Sequence, residues 1–165
     1  MRYGLPSHAS RKHQHGLVAV EFTFIATLFF ILLFATIEFG RLYFSWHVMN
    51  ETSRRAARLA AVCQVTTTEQ ADAISRAVMN NVNVAGFTSG NLNIRYLDSN
   101  GNAVTGDLTQ ESIYDQIEFV EATINNFTIN LMIPFINFGP ISSQNFRTVL
   151  PRESLGVHRT GFTDC

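Results

Sequence analysis

Charge is scarce in this chain: Asp, Glu, Lys and Arg make up 15% of its 165 residues, well under the roughly one quarter usual for soluble domains. Hydrophobic residues reach 46%, and a chain so apolar and so weakly charged is not intrinsically disordered. The formal net charge is −1, so there is no strongly basic body of the kind that binds nucleic acid. Cysteine is limited to Cys63 and Cys165, too few for a four-cysteine zinc site and too far apart for a finger-type pair. One disulfide between them and two free thiols both stay open. Proline is absent between Pro6 and Pro134, which leaves the first third of the chain able to form long uninterrupted helix.

Catalytic patterns are missing too. The sequence holds no Gly-x-x-x-x-Gly-Lys-Ser/Thr phosphate loop, no Gly-x-Ser-x-Gly elbow and no His-Glu-x-x-His helix, the arrangements that cradle phosphates, expose a nucleophile or bind zinc. His8, His13 and His15 cluster near the start, where they add charge among basic residues. His47 and His158 have no neighbouring carboxylate pair or cysteine. The expectation is a protein without catalytic activity, cofactor or metal.

What the chain does have is a long apolar run. Leu17 to Ile37 reads LVAVEFTFIATLFFILLFATI, with Glu21 its one ionisable side chain. As a helix it is about 31 Å long, the thickness of a bilayer core, and it is apolar all round instead of along one stripe. A cleaved secretory signal fits poorly, because its apolar region is shorter and ends at a small-x-small site. Here the run leaves through Ile37-Glu38-Phe39-Gly40-Arg41. Arg2, Arg11 and Lys12 precede it, and Arg41, Arg54, Arg55 and Arg58 follow. Counting charge does not settle orientation, but the close pair Arg11 and Lys12 tilts it toward a cytoplasmic N-terminus. Tyr43, Phe44 and Trp46 then read as an aromatic interfacial belt.

Glu21 is expensive where it stands: an ionisable side chain in an apolar helix costs on the order of 2–3 kcal/mol unless it finds a partner or the interface. Gly16 directly precedes the run, and cutting after it would create an α-ammonium on Leu17, four residues before Glu21. Positions i and i+4 share a helix face, so proteolysis would supply the missing counter-charge, within one chain or between packed neighbours.

A basic leader, Gly16, then Leu17-Val18-Ala19-Val20-Glu21-Phe22 and a long apolar helix resemble a type IV prepilin. More narrowly, AVEFTFIATLFFILLFATIEFGRLYF followed by SRRAARLAA resembles the TadE-like family of minor pilins, or pseudopilins, of the Tad (Flp, type IVb) pilus system. The exit Glu38-Phe39-Gly40-Arg41 and the tail Leu150-Pro151-Arg152-Glu153-Ser154-Leu155-Gly156 are part of the likeness. The resemblance implies processing at Gly16/Leu17 by a prepilin peptidase. It also implies packing with other pilins or pseudopilins, and contact with an inner-membrane assembly platform and the lipid bilayer. It points to a single-pass inner-membrane protein with a periplasmic head, able to enter a cell-surface pilus and act in adhesion. The alternative is an uncleaved, membrane-anchored periplasmic scaffold of a secretion or pilus apparatus. In an oxidising periplasm Cys63 and Cys165 could pair.

The expected organisation is a leader over 1–16, a membrane helix over 17–37, its extramembrane continuation over 38–63 and an α+β head over 64–165. In the continuation, Glu51 and Arg55 are spaced i, i+4, and Arg54 and Arg58 stand nearby. Ala56, Ala57, Ala60 and Ala61 lie beside this stripe and suit close packing, either against another subunit's helix or under the protein's own sheet. In the head, Thr66 with Glu69 and Thr67 with Gln70 match capping boxes before a helix over 69–82. Leu92 to Leu97 alternates as a strand, Asp98-Ser99-Asn100-Gly101 turns, and Asn102 to Leu108 is expected to return beside it. A third strand begins near Ile117 and continues toward Leu131, with Asp115, Glu118 and Glu121 on its wetter side. Gln144 to Val149 closes the sheet, and Phe127 to Phe138 supplies core.

Overall fold

The computed structural model describes residues 14–78, 84–132, 139–142 and 145–162. The leader up to residue 13 with His8, the predicted helix end at Val82, the far part of the Phe127–Phe138 stretch and Cys165 lie outside the described residues. The architecture is the predicted α+β: one long apolar helix, a second helix and small antiparallel sheets.

Helix α1 runs unbroken over Gln14–Val62, 49 residues, or about 74 Å at the standard rise. Its two halves have opposite surroundings. The most apolar window has a mean hydropathy of 2.5 and none of it is buried by the rest of the chain. From Glu38 onward, one face is buried every three or four residues, through Ser45, Met49, Thr52 and Ala56 to Ala60, the periodicity of a helix lying on a core. The four alanines Ala56, Ala57, Ala60 and Ala61 are buried against the protein's own sheet and second helix. Of the two roles open to them, the intramolecular one is therefore taken: their small side chains let the sheet approach the helix.

Helix α2 (Thr67–Ala77) starts where the Thr66–Glu69 pattern places it, the Glu69 N–H donating to Thr66 Oγ1 at 3.3 Å. The second box, Thr67 with Gln70, does not form, because the Gln70 N–H goes to the Thr66 carbonyl and its side chain donates to the Val65 carbonyl. The helix is also shorter than expected, with Val78 already extended at ψ 107.

The strands are β1 (Leu92–Leu97), β2 (Phe119–Ile124), β3 (Thr128–Asn130), β4 (Pro140–Ser142), β5 (Phe146–Pro151), β6 (Val157–His158) and β7 (Gly161–Phe162). A short helix α3 (Glu111–Tyr114) lies between β1 and β2. The main sheet is antiparallel in the order β1-β2-β5, with β3-β4 and β6-β7 as separate hairpins. Val120, Ala122 and Ile124 of the central strand face the helices.

Two of the expected strands differ in the structure. The return strand over 102–108 reduces to one bridge, Leu97 with Ala103. The Asp98 carboxylate accepts the Asn100 and Asn102 N–H groups, each at 2.8 Å, which makes the turn tight. Gly106 at φ +114 and the Asp107 carboxylate gripping Thr109 then steer the chain away. These hydrogen bonds favour the ionised form and hold both aspartates below the usual carboxylate range. The strand beginning near Ile117 does not continue to Leu131: Asn126 at φ 55 breaks it, and β3 pairs with β4 instead.

The tail closes the core. The Leu155 N–H donates to the Ala61 carbonyl at 3.0 Å, satisfying one of the carbonyls that a helix C-terminus leaves without a partner. Leu155 itself is fully buried.

Tyr96 is buried with its hydroxyl lacking a partner among the described residues, and burial, reinforced by the neighbouring Tyr114, pushes its pKa well above the usual phenol value. The neutral phenol is thus the folded form, while an unfolded tyrosine ionises near pH 10. Between those two values the unfolded state binds fewer protons, so stability is present below about pH 10 and falls as pH rises above it. Tyr96→Phe should flatten that alkaline loss in chemical denaturation followed from about pH 8 to 11; an unchanged slope would remove Tyr96 as its source.

Candidate functional site

The predicted processing residues lie at the start of α1. Gly16 and Leu17 are exposed and helical, within the first turn, whose N–H groups have no intrahelical acceptor. This is where a helix opens into extended chain most cheaply. A Cβ at Gly16 would meet nothing within 4 Å. Glu21 is exposed one turn beyond Leu17 on the same face, and Phe22 beside it is also exposed. The Thr23 and Thr36 hydroxyls of the span donate to the Ala19 and Leu32 carbonyls at 2.8 Å each. Glu21 is left as the carboxylate that this part of the helix presents outward.

A second constellation forms where the apolar run ends. Glu38 is only 7% exposed, and its Oε2 accepts from Arg41 Nε at 3.1 Å and Nη2 at 2.9 Å. The same guanidinium donates to the Asn130 carbonyl of β3, and the Ser45 hydroxyl bonds the Arg41 carbonyl at 2.9 Å. Phe39 and Gly40 of the same motif stay exposed on the outer side. Motif spacing gives Glu38 with Arg41, but the reach to Asn130 depends on tertiary structure and has no local signal. All three residues of the aromatic belt, Tyr43, Phe44 and Trp46, are exposed, and the Trp46 ring also meets Phe146 edge-on at 5.6 Å, which ties the head to the helix.

A family model described as TadE-like protein matches residues 16–58. That stretch is TadE-like. The match takes in Gly16, Glu21 and the Glu38–Arg41 exit, and it ties the chain to the Tad pilus system in general. No curated protein and no solved structure matches the chain. Among the described residues one helix is long and apolar enough to cross a membrane, consistent with a single-pass membrane protein, and the TadE-like segment runs from that apolar stretch into the core of its own head.

Beyond the anchor, Arg54, Arg55 and Arg58 stand on the exposed face of α1. Arg55 pairs with Glu51 at 2.9 Å, and that hydrogen bond lowers the Glu51 pKa. Exposed pairs of this kind add little stability. Glu121 departs from expectation: it is 1% exposed, not solvated, because Arg95 and Arg147 of the flanking strands close over it at 2.6 and 2.9 Å. Arg95 is its register partner and Arg147 sits on the diagonal. The clue was an arginine in each flanking strand, legible only once strand order is known. Cys63 is buried at the end of α1, and Cys165 lies outside the described residues. His47 is exposed on α1, and His158 on β6 bonds Thr160 locally; the side chain of His15 and all of His13 lie outside the described residues. Among the described residues no three His, Cys, Asp or Glu side chains cluster as metal ligands would.

Proposed function

We propose that the protein is a minor pilin, or pseudopilin, of a Tad-type pilus. In this reading a prepilin peptidase cuts after Gly16, and the subunit assembles through its apolar helix. The observation that carries it is the division of α1. One rigid helix presents a bare apolar surface over its first half and the floor of a folded head over its second. A bare helix in lipid gains little from the hydrophobic effect on meeting another helix, so packing and polar pairing decide association. Glu21 is the group placed to pair, with the ammonium that cleavage would create on Leu17.

The head would be periplasmic and the leader cytoplasmic, and the role structural, without catalysis. Partners in this reading are the peptidase, other Tad pilins or pseudopilins, and the inner-membrane platform. The uncleaved scaffold differs in a single measurable way. Intact-mass and N-terminal sequencing of protein purified from native membranes should give a mature chain starting at Leu17. Recovery of a chain that still carries residues 1–16 would favour the scaffold.

A further inference from the structure

We propose that the β3–β4 end of the head is a second membrane contact, where Met132 enters the lipid headgroup region beside α1. The proposal rests on α1 crossing a bilayer and adds where the head sits on it.

Chain direction carries the inference. Strand β5 runs alongside α1 in the same sense, away from the apolar span. The Phe146 ring meets Trp46 at 5.6 Å, the Thr148 hydroxyl meets Ser53 at 3.0 Å and the Leu155 N–H meets the Ala61 carbonyl at 3.0 Å. Strand β2 is antiparallel to β5, with Ile124 opposite Phe146, so β2 travels back toward the span. The chain continues through Phe127 and β3 until the Asn130 carbonyl meets Arg41. Helical side chains lean toward the N-terminus of their helix, and the Arg41 guanidinium also holds Glu38. Asn130 therefore stands at the level of Glu38, the first residue after the apolar run.

Met132 lies two residues farther along and is 74% exposed. Near the same level α1 exposes Phe39, Tyr43 and Phe44, and β4 exposes Ile141. A single exposed apolar side chain would need no explanation. Here several collect at one height, continuous with a helix surface already bare for lipid. Neither 125–132 nor 139–142 contains Asp, Glu, Lys or Arg, which disfavours a charged protein partner and suits the interfacial zone. Methionine, unbranched and flexible, adapts to a disordered apolar environment. The Glu38–Arg41–Asn130 contacts then have a role: they fix this end of the head against the helix at the height where the bilayer surface lies.

The test uses the full chain in vesicles of phosphatidylethanolamine and phosphatidylglycerol. Photoreactive benzoylphenylalanine is placed singly at Met132, at Phe29 inside the span, or at Val149 on the outer sheet face. Mass spectrometry after irradiation should find lipid adducts at position 132 at least fivefold above those at 149 and within a few-fold of those at 29. Lipid adducts at 29 with only background at 132 would overturn the second contact and leave the span intact. Adducts at 132 made chiefly to a second copy of the chain would also overturn it. Absence of lipid adducts at 29 would remove the membrane span itself, and the proposal with it.

Discussion

Gly156→Ala should destabilise the head by about 3 kcal/mol or more, while Gly101→Ala should cost about 1–2 kcal/mol, the ordinary penalty for a side chain in left-handed backbone. Both glycines have nearly the same positive φ, +79 and +82, so backbone strain is matched. Space is not. A Cβ at Gly101 meets nothing within 4 Å, whereas one at Gly156 would lie 2.7 Å from the Gln64 nitrogen and 2.8 Å from its Cα. Backbone atoms just past the end of α1 cannot swing aside as a flexible side chain could. Relief must come from the tail moving outward, which breaks the Leu155 to Ala61 hydrogen bond and draws the buried Leu155 out of the core. Burying a leucine is worth roughly 1.5–3 kcal/mol, and that loss adds to the strain. For a head of about 100 residues, each kcal/mol shifts the melting temperature by about 4–8 °C. The Gly156 variant should thus melt at least about 12 °C lower, read on the full chain in detergent by Trp46 fluorescence, since Trp46 packs on the sheet through Phe146. Equal shifts for the two variants would mean that the tail does not brace the helix end.

Where the sequence was legible, the signal was local. The apolar length of Leu17–Ile37, the absence of proline and the alternation of Leu92–Leu97 each act within one element, and α1 and β1 follow them closely. The Thr66 cap is local as well. What escaped depends on which strands become neighbours. Glu121 reads as a solvent-side residue by alternation, and its face is correctly assigned. Its burial is imposed by arginines 26 residues away in either direction. The four alanines of α1 fit two partners equally well by size, and only the placement of the sheet chooses between them. Asn102 to Leu108 carries enough apolar residues for a strand, but Asp98, Gly106 and Asp107 offer the backbone better local hydrogen bonds and turns than a longer hairpin would. The same division holds for the candidate site. Gly16, Leu17 and Glu21 are legible because they lie within two turns of one helix. The Arg41 contact with Asn130 spans 89 residues and has no trace in any window of sequence.

Glu21→Ala should leave membrane insertion and cleavage intact and lower the yield of assembled pili at least tenfold. Insertion is not the step at risk, since removing a carboxylate from the apolar run lowers its transfer cost by up to about 2–3 kcal/mol. Nor does the substitution disturb the fold: Glu21 is exposed and lies in the half of α1 that the head does not cover. In the proposed assembly the carboxylate would leave the interface and lie among packed helices, where an opposite charge is strongly favoured over none. The ammonium on a processed Leu17, one helical turn away, is the group that could meet it, from the same chain or from its neighbour. Losing that pairing need cost only about 1.4 kcal/mol per subunit to lower the association constant tenfold, and the deficit recurs at each subunit added. Glu21→Gln keeps the shape and the hydrogen-bonding carbonyl while removing the charge, and it should fail as badly as Ala; recovery of assembly by Gln would point to hydrogen bonding instead. The measurement is the ratio of subunit in sheared pili to subunit in membranes, with N-terminal sequencing of both pools to establish that cleavage has occurred. Normal pilus yield from correctly cut Glu21→Ala protein would rule out charge pairing as the basis of assembly.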